Sequence, residues 1–424
     1  MDIVKQLVAE RPDMWGCVMA EQDNAVRIND FIYMAPAVSN AYMVVTGAGR
    51  VIINTGMGFE GPVIKKAFDK ICPGPTPYIL LTQAHVDHVG GVVQFREPET
   101  KLVGQRNLAA CQADDKRIKN VRESQAYIWF SHVFDKMAEL AQKTLPGARP
   151  ITQDVPVADI TFDDRYDFEL GGVRFELSSV PGGETIDSVA VWLPQHKILF
   201  SGNMFGPLFP HFPNFNTIRG DRYRQFEFYL ESLRRVRALE PEMLITGHFD
   251  PIVGKNLIRT CLDRLHDAVS YVHSETLKGM NAGKDIFTLM REVQLPDELY
   301  VGQGYGKVSW GVRTVWELYM GWFKGRKTSD LYPTQPEAVY PELVQLIGID
   351  AVVALGRNKL QAGDAEAANL IAEIALANNA NHRGALQLSL DAHTALLERS
   401  GSTNFWETGW LRTRIQALQR QLPK

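Results

Sequence analysis

The residues best suited to chemistry stand together in Thr82-Gln83-Ala84-His85-Val86-Asp87-His88-Val89-Gly90-Gly91, directly after the apolar run Tyr78 to Leu81. Two imidazoles three positions apart with a carboxylate between them, on the turn leaving a strand, bring nitrogen and oxygen donors into one small volume. Borderline metals such as Zn²⁺ take donors of this kind. Polar residues that only fill a loop have no need of His, Asp and His ahead of a glycine pair. Catalytic zinc needs three protein ligands and an open position, so this segment supplies most of a site.

Elements that could position it alternate from about Asn40 to Phe249. Ala41 to Thr46, Arg50 to Asn54, Tyr78 to Thr82, Val173 to Val180, Ser188 to Leu193, Ile198 to Ser201 and Met243 to Thr246 are rich in β-formers and bounded by turn residues, so they are expected strands. Glu60 to Asp69 and Tyr223 to Ala238 carry apolar residues at three- and four-residue spacing and are expected surface helices. Gln105 to Leu145 is expected to leave the sheet as a helical excursion and return through Pro146 to Pro150, a geometry that could cap a site. Beyond Lys255 the β-rich runs stop. Leu257 to Gly279, Ile286 to Val293, Val312 to Phe323 and Pro336 to Ile347 are helix-like, and Ala351 to Ser400 shows paired helical periods with Gly363-Asp364 as a turn. That last pattern resembles a tetratricopeptide-type hairpin. A plain helical bundle packed on the first part or on a second subunit explains it as well. The division expected is therefore 1–254, mixed α/β, and 255–424, helical.

Composition bounds the partners. Of 424 residues, 45 are Lys or Arg and 49 Asp or Glu, a net charge of −4 that gives no global pull toward nucleic acid or anionic membrane. Met1 to Glu10 lacks the pattern of a signal peptide, and no stretch approaches the ~18 apolar residues of a span. Cys17, Cys72, Cys111 and Cys261 are far apart, without a disulfide framework or thiolate zinc site, and a cytoplasmic location is expected.

The motif after the strand resembles the metallo-β-lactamase superfamily signature H-x-H-x-D-H. Three further segments resemble that superfamily in its order: Pro181-Gly182-Gly183-Glu184-Thr185 its Pro-Gly-His-Thr loop, Leu199-Phe200-Ser201-Gly202-Asn203 its strand ending in Ser-Gly-Asp, and Ile245-Thr246-Gly247-His248 its last strand and Gly-His. The resemblance implies an αββα sandwich. From about Phe31 onward the chain is similar to the alkyl sulfatase branch. There Glu184 stands where that branch replaces the loop His, and Thr217-Ile218-Arg219-Gly220 resembles its Thr-Leu-Arg-Gly, whose Arg helps to hold sulfate. Leu265-His266-Asp267, Leu295-Pro296, Gly304-Tyr305-Gly306 and Tyr319-Met320-Gly321-Trp322-Phe323 resemble its dimerisation domain, which implies an all-α second domain and a homodimer.

Departures from the signature fall on the ligands. Gln83 stands for the first His, Asn203 for the bridging carboxylate and Asn54 for an earlier Asp. A neutral amide oxygen binds Zn²⁺ more weakly than carboxylate or imidazole and cannot compensate two cations. The expectation is one tight Zn²⁺ at Asp87, His88 and His248 with Asn203 as a neutral fourth, and a second position at His85, Glu184 and Gln83 that is weak or empty. In that reading His85 and Asp87 orient or deprotonate a water, Arg219 holds an anionic group, and Tyr305 can reach the same anion. The aromatic run Phe205 to Phe215 offers an apolar wall for a substrate tail or a packed loop lid. His211 is expected in a loop.

The function implied is metal-dependent hydrolysis of a sulfate ester or related small ester, the substrate anionic with an apolar part. Hydrolysis of a carboxylic ester, lactone or amide on the same scaffold competes with it, as does a metal-poor, non-catalytic binding role. Iron chemistry is disfavoured: the diiron oxidase branch would need Glu where His85 stands, and Gln83, Glu184 and Asn203 replace the first His, loop His and strand-end Asp on which the mononuclear dioxygenase branch relies.

Overall fold

In the strand Gly49–Ile53, Val51 and Ile53 enter one apolar core while Ile52 enters another. Successive side chains of a strand point to opposite faces, so this strand must be covered on both sides. The structure is a computed structural model that describes residues 2–17, 23–144, 153–222 and 224–422. Its first sheet runs in sequence order: β1 (Val26–Arg27), β2 (Ile32–Ala35), β3 (Ala41–Thr46), β4 (Gly49–Ile53), β5 (Tyr78–Leu80), β6 (Lys101–Gln105) and β7 (Ile160–Phe162). β1 to β4 pair antiparallel and β4 to β7 parallel. The second sheet comprises β8 (Arg165–Leu170), β9 (Val173–Ser179), β10 (Val189–Leu193), β11 (Ile198–Gly202), β12 (Met243–Thr246) and β13 (Ile252–Val253), with only β11 and β12 parallel.

Ile32, Val44, Val51 and Leu80 of the first sheet pack against Phe175, Leu177, Val191 and Phe200 of the second. Outside the first sheet, Ile64 and Phe68 of the helix Gly61–Asp69, with Val92 and Phe95, cover Met43, Ile52 and Ile79. Outside the second, the helices Phe226–Ala238 and Lys255–Asn281 cover Trp192, Leu199 and Leu244. The layers are those of an αββα sandwich. Burying one such side chain is worth roughly 1.5–3 kcal/mol, so the paired apolar faces fix where the loops after β5, β11 and β12 meet.

The seven expected strands are β3, β4, β5, β9, β10, β11 and β12, with slightly shifted ends. β8 escaped the sequence reading because Arg165, Asp167 and Glu169 alternate on its open face, which leaves it half charged. The expected excursion begins with β6 and continues as the helices Leu108–Arg117 and Lys119–Thr144; Leu145 and its return through Pro146 to Pro150 lie outside the described residues.

The chain forms two compact units, Met1–Leu318 and Tyr319–Lys424. The change in composition at Lys255 marks the start of the helix Lys255–Asn281, whose Ile258, Leu262, Leu265 and Val269 join the core on the second sheet. Composition therefore registers a change of secondary structure there, and packing runs on to Leu318. In the second unit the helices Ile349–Gln361, Ala365–Asn378, Arg383–Ser400 and Phe405–Gln421 follow one another. Gly363 takes φ +81° at the first turn, and the Asp364 side chain accepts the Ala367 amide at 3.1 Å. Ala368, Ala372, Leu388 and Ala392 pack together, and small residues let these helices approach closely. Among the described residues no single helix is long and apolar enough to cross a membrane.

Candidate metal centre

Asn54, at the end of β4, fixes the start of the site. It takes φ +58°, a left-handed conformation that Asn tolerates better than most residues. Its Oδ1 accepts the Thr82 amide at 3.0 Å, and its Nδ2 donates to Thr82 Oγ1 at 2.9 Å. The chain leaving β5 is thereby held as it turns into the single helical turn Val86–Val89, which carries Asp87 and His88. From the second sheet, β12 ends at Thr246 and presents Gly247 and His248. A Cβ at position 247 would lie 2.1 Å from Asn203 Oδ1 and 3.1 Å from His88 Cε1, so any larger residue there displaces the Asn203 amide.

Donor atoms of Asp87, His88 and His248 all lie within 4.8 Å of one another. Asp87 Oδ2 is 3.8 Å from His88 Nε2 and 3.9 Å from His248 Nε2. Both rings are buried. Ser39 Oγ is 3.2 Å from His88 Nε2 and donates to the Gly247 carbonyl at 3.1 Å, while Thr82 Oγ1 lies 3.3 Å from His88 Nδ1. Asn203 Nδ2 is 3.1 Å from His248 Nε2, and the amide's Oδ1 is buried with no hydrogen-bond partner. A buried oxygen left without a donor is costly. Burial pushes His88 down to about 4 and lowers His248 as well, so both imidazoles are neutral at pH 7, the form that binds metal. Burial works against ionised Asp87, but His88, His248 and His85 outweigh it and lower its pKa. One carboxylate, two neutral imidazoles and an unpartnered amide oxygen fit a single divalent cation.

The second expected position is organised differently. His85 Nδ1 lies 3.1 Å from Glu184 Oε2 and 2.7 Å from Gln83 Nε2, and its Nε2 is 3.8 Å from Asp221 Oδ2. Glu184 Oε1 faces Arg224 Nη1 at 3.4 Å, and the buried Arg224 also donates to the Gly183 and Asn214 carbonyls at 3.2 and 2.7 Å. Burial opposes the charge on both His85 and Glu184. The neighbouring carboxylates of Asp221 and Glu184 nevertheless raise His85 to about 10, and Arg224 with His85 lowers Glu184 to about 2. The donors Gln83, His85 and Glu184 do meet, but they engage one another and a guanidinium faces the carboxylate. That arrangement does not suit a second dication. Asn203 belongs with His248 instead.

Arg219 Nη2 lies 3.9 Å from Asp221 Oδ2. Burial alone would lower the Arg219 pKa; Tyr305, Asp221, Glu184 and Asp87 reverse it, which places Arg219 and Tyr305 in the same electrostatic site. A small cavity of about 70 Å³ opens on His85, Glu184, Asp221 and Arg224, with Ala84, Ile186 and Phe228 as its apolar lining. The apolar wall expected from Phe205 to Phe215 does not line it. Phe205, Phe209, Phe212 and Phe215 are buried in the core on the second sheet, where aromatic volume serves packing. His211 is likewise buried, its Nδ1 accepting the Gly304 amide at 3.0 Å. The sequence reading missed Ser39, Asp221 and Arg224; Asp221, two residues beyond Arg219, was the nearest to a readable signal.

Residues 34–248 match the metallo-beta-lactamase superfamily, and residues 288–414 match the alkyl sulfatase dimerisation family. A linear primary-alkylsulfatase of Pseudomonas sp. is 27% identical over 343 residues, covering 76% of this chain and 62% of that protein. The alkyl/aryl-sulfatase BDS1 of Saccharomyces cerevisiae is 24% identical, over 97% of this chain and 67% of its own. Among solved structures, the stereoselective inverting sec-alkylsulfatase Pisa1 of Pseudomonas sp. superposes with a TM-score of 0.79 at 19% identity, covering 95% of this chain and 66% of that one. This likeness shows a shared fold. The chain spans about two thirds of the length of these relatives.

Proposed function

We propose, from the premise that the chain belongs to the metallo-beta-lactamase superfamily, that it is a metal-dependent hydrolase of sulfate esters carrying an apolar group. The observation that carries this reading is the grouping of Asp87, His88 and His248 within 4.8 Å of one another, with the Asn203 amide beside His248, in a chain whose relatives are named alkylsulfatases. The superfamily uses divalent metals, and we assign Zn²⁺ to this one position, with Asp87, His88 and His248 as ligands and Asn203 as a neutral fourth. When bound, such an ion supplies Lewis acidity to the ester and lowers the pKa of water.

The remaining work falls to side chains. Asp87 accepts a hydrogen from water and orients it. Arg219 and Tyr305 donate to the anionic group, and a charge-assisted pair of this kind is the stronger sort of hydrogen bond. His85, held between Glu184 and Asp221, is a donor and not a base. Ala84, Ile186 and Phe228 receive the apolar part. Residues 1–254 form the catalytic portion in this proposal and 255–424 the dimerisation portion; exposed Trp322 and Leu346 suit burial against a second copy. Four free cysteines fit a reducing cytoplasm.

One observation favours a second reading. Two carboxylates, Glu184 and Asp221, face the cations that would hold a sulfate, which lessens the advantage of an anion over a neutral carboxylic ester or lactone. Zinc-loaded protein assayed on an alkyl sulfate, an aryl sulfate, p-nitrophenyl acetate and a lactone decides. Sulfate release from the first two supports the proposal. Turnover of only the neutral esters supports the second reading, and failure to retain metal through dialysis contradicts both in favour of a binding role. Sedimentation as a monomer at micromolar concentration would count against the dimer.

A further inference from the structure

Asp221 Oδ2 lies 3.8 Å from His85 Nε2, 3.9 Å from Arg219 Nη2 and 3.7 Å from Arg224 Nη2. The other carboxylate oxygen, Oδ1, lies 3.4 Å from Arg122 Nη2 and accepts the Arg222 amide at 2.9 Å. Donors on the turn after β5, on Arg219 and on Arg224 thus converge on one oxygen. Each of the three Oδ2 separations exceeds the ~2.7–3.2 Å of an N–H···O hydrogen bond, so this oxygen is drawn into the basin without being gripped there. Its loop is anchored from the side: Arg122, on the helix Lys119–Thr144, also donates to the Gly220 carbonyl. Gly220 itself takes φ +79° with open space around it.

Convergent donors on separate segments are what an incoming anion requires. We propose that Asp221 is a specificity-determining residue, a resident carboxylate that holds the place of a substrate's anionic oxygen and must be displaced before an anionic substrate can bind. The proposal rests on the hydrolase reading for its consequence in catalysis, though not for its consequence in binding. With Asp221 in place, the positive charge of Arg219 and Arg224 is largely answered by Glu184 and Asp221. A second anion entering the basin meets the repulsion of Asp221, which a neutral ester does not. Removal of that one charge leaves the basin with a net positive charge and shifts preference toward anions.

Asp221→Asn keeps the shape of the side chain and an oxygen for the Arg222 amide. Calorimetric titration of zinc-loaded protein with inorganic sulfate is expected to show affinity rising roughly tenfold in this variant, the scale set by removing one like charge near the bound anion. Asp221→Ala should shift it in the same direction. Asp114→Asn is the control, because Asp114 lines the same cavity but pairs with Arg222 at 2.5 Å; its sulfate affinity should stay at the wild-type value. If alkyl sulfates are turned over, their KM should fall by a similar factor in Asp221→Asn, with the KM of p-nitrophenyl acetate unmoved. Unchanged or weaker sulfate binding in both Asp221 variants, at wild-type melting temperature, overturns the proposal. So does an equal gain in Asp114→Asn, since bulk charge would then explain it. If no ester of any kind is hydrolysed, the hydrolase reading fails while the sulfate titration still decides the role of Asp221.

Discussion

Asp87, His88 and His248 lie among neutral groups, the Ser39 and Thr82 hydroxyls and the Asn203 amide, whereas Glu184 and His85, on the neighbouring loops, are matched by Arg224 and Asp221. The first group carries one negative charge on two neutral imidazoles and seeks a cation. The second already holds its cations. In the superfamily signature both positions take metal, and what separates them here is where two amides fell. Gln83 removed an imidazole from the second group and left room for ion pairing, while Asn203 joined the first group as a neutral donor. On the proposed reading, a pair of substitutions invisible to any charge sum divides one site into a metal half and an ion-pair half.

The largest effect should come from breaking the metal half. His248→Ala is expected to abolish tight metal retention and to lower kcat/KM by roughly three orders of magnitude, the several kcal/mol that metal stabilisation of a transition state supplies. Glu184→Gln should leave retention of the metal intact, as measured by plasma emission after dialysis. Gly247→Ala comes next. It removes no ligand but drives a methyl into Asn203 and His88, so a loss of roughly 10- to 100-fold in metal affinity is expected, the scale for disturbing the groups that orient ligands.

The ion-pair half should reveal itself through pH. Arg224 and His85 hold Glu184 at about 2, below the 4.5 of a free carboxyl, so its contribution to stability is complete above pH 4.5 and fades as pH falls toward 2. His85, raised to about 10 from 6.5, contributes fully below pH 6.5 and loses that contribution as pH rises through 10. The melting-temperature gap between wild type and Glu184→Gln should therefore be widest between pH 4.5 and 6.5, close toward pH 2 and narrow toward pH 10 without closing, since Arg224 stays charged. A gap flat from pH 3 to 9 would mean that the two groups are not coupled as described. The smallest effect is expected at the rim. Arg122→Gln breaks partly exposed pairs to Asp115 and Asp221 and should cost at most about 1 kcal/mol in a denaturant titration.

Much of the metal half could be read from residue types. Asp87 and His88 follow an apolar strand, Gly-His follows another, and the strands that present them, β5 and β12, are compact apolar runs. The sandwich was legible for the same reason, since β3, β4, β9, β10 and β11 are buried and hydrophobic enough to stand out. β8 was not, because its open face alternates Arg165, Asp167 and Glu169. Nor was the ion-pair half. Arg224 and Asp221 look like surface charges in Gly-Asp-Arg-Tyr-Arg, and only the folding of that loop against Glu184 and His85 buries Arg224 and turns both inward. The aromatic run misled in the opposite way: Phe205 to Phe215 has the composition of a ligand wall, but its rings fill the core beside the helix Phe226–Ala238. Residue type identifies donors, while partners distant in the sequence, such as Glu184 for His85 and Arg224 for Glu184, decide whether those donors face a metal or one another.

The division of the site is tested most directly by an anomalous-difference map recorded across the zinc edge on crystals of zinc-loaded protein. The account predicts one peak per chain, among Asp87, His88 and His248, and none between His85 and Glu184. Two peaks of comparable height, or a single peak at His85 and Glu184, would contradict it.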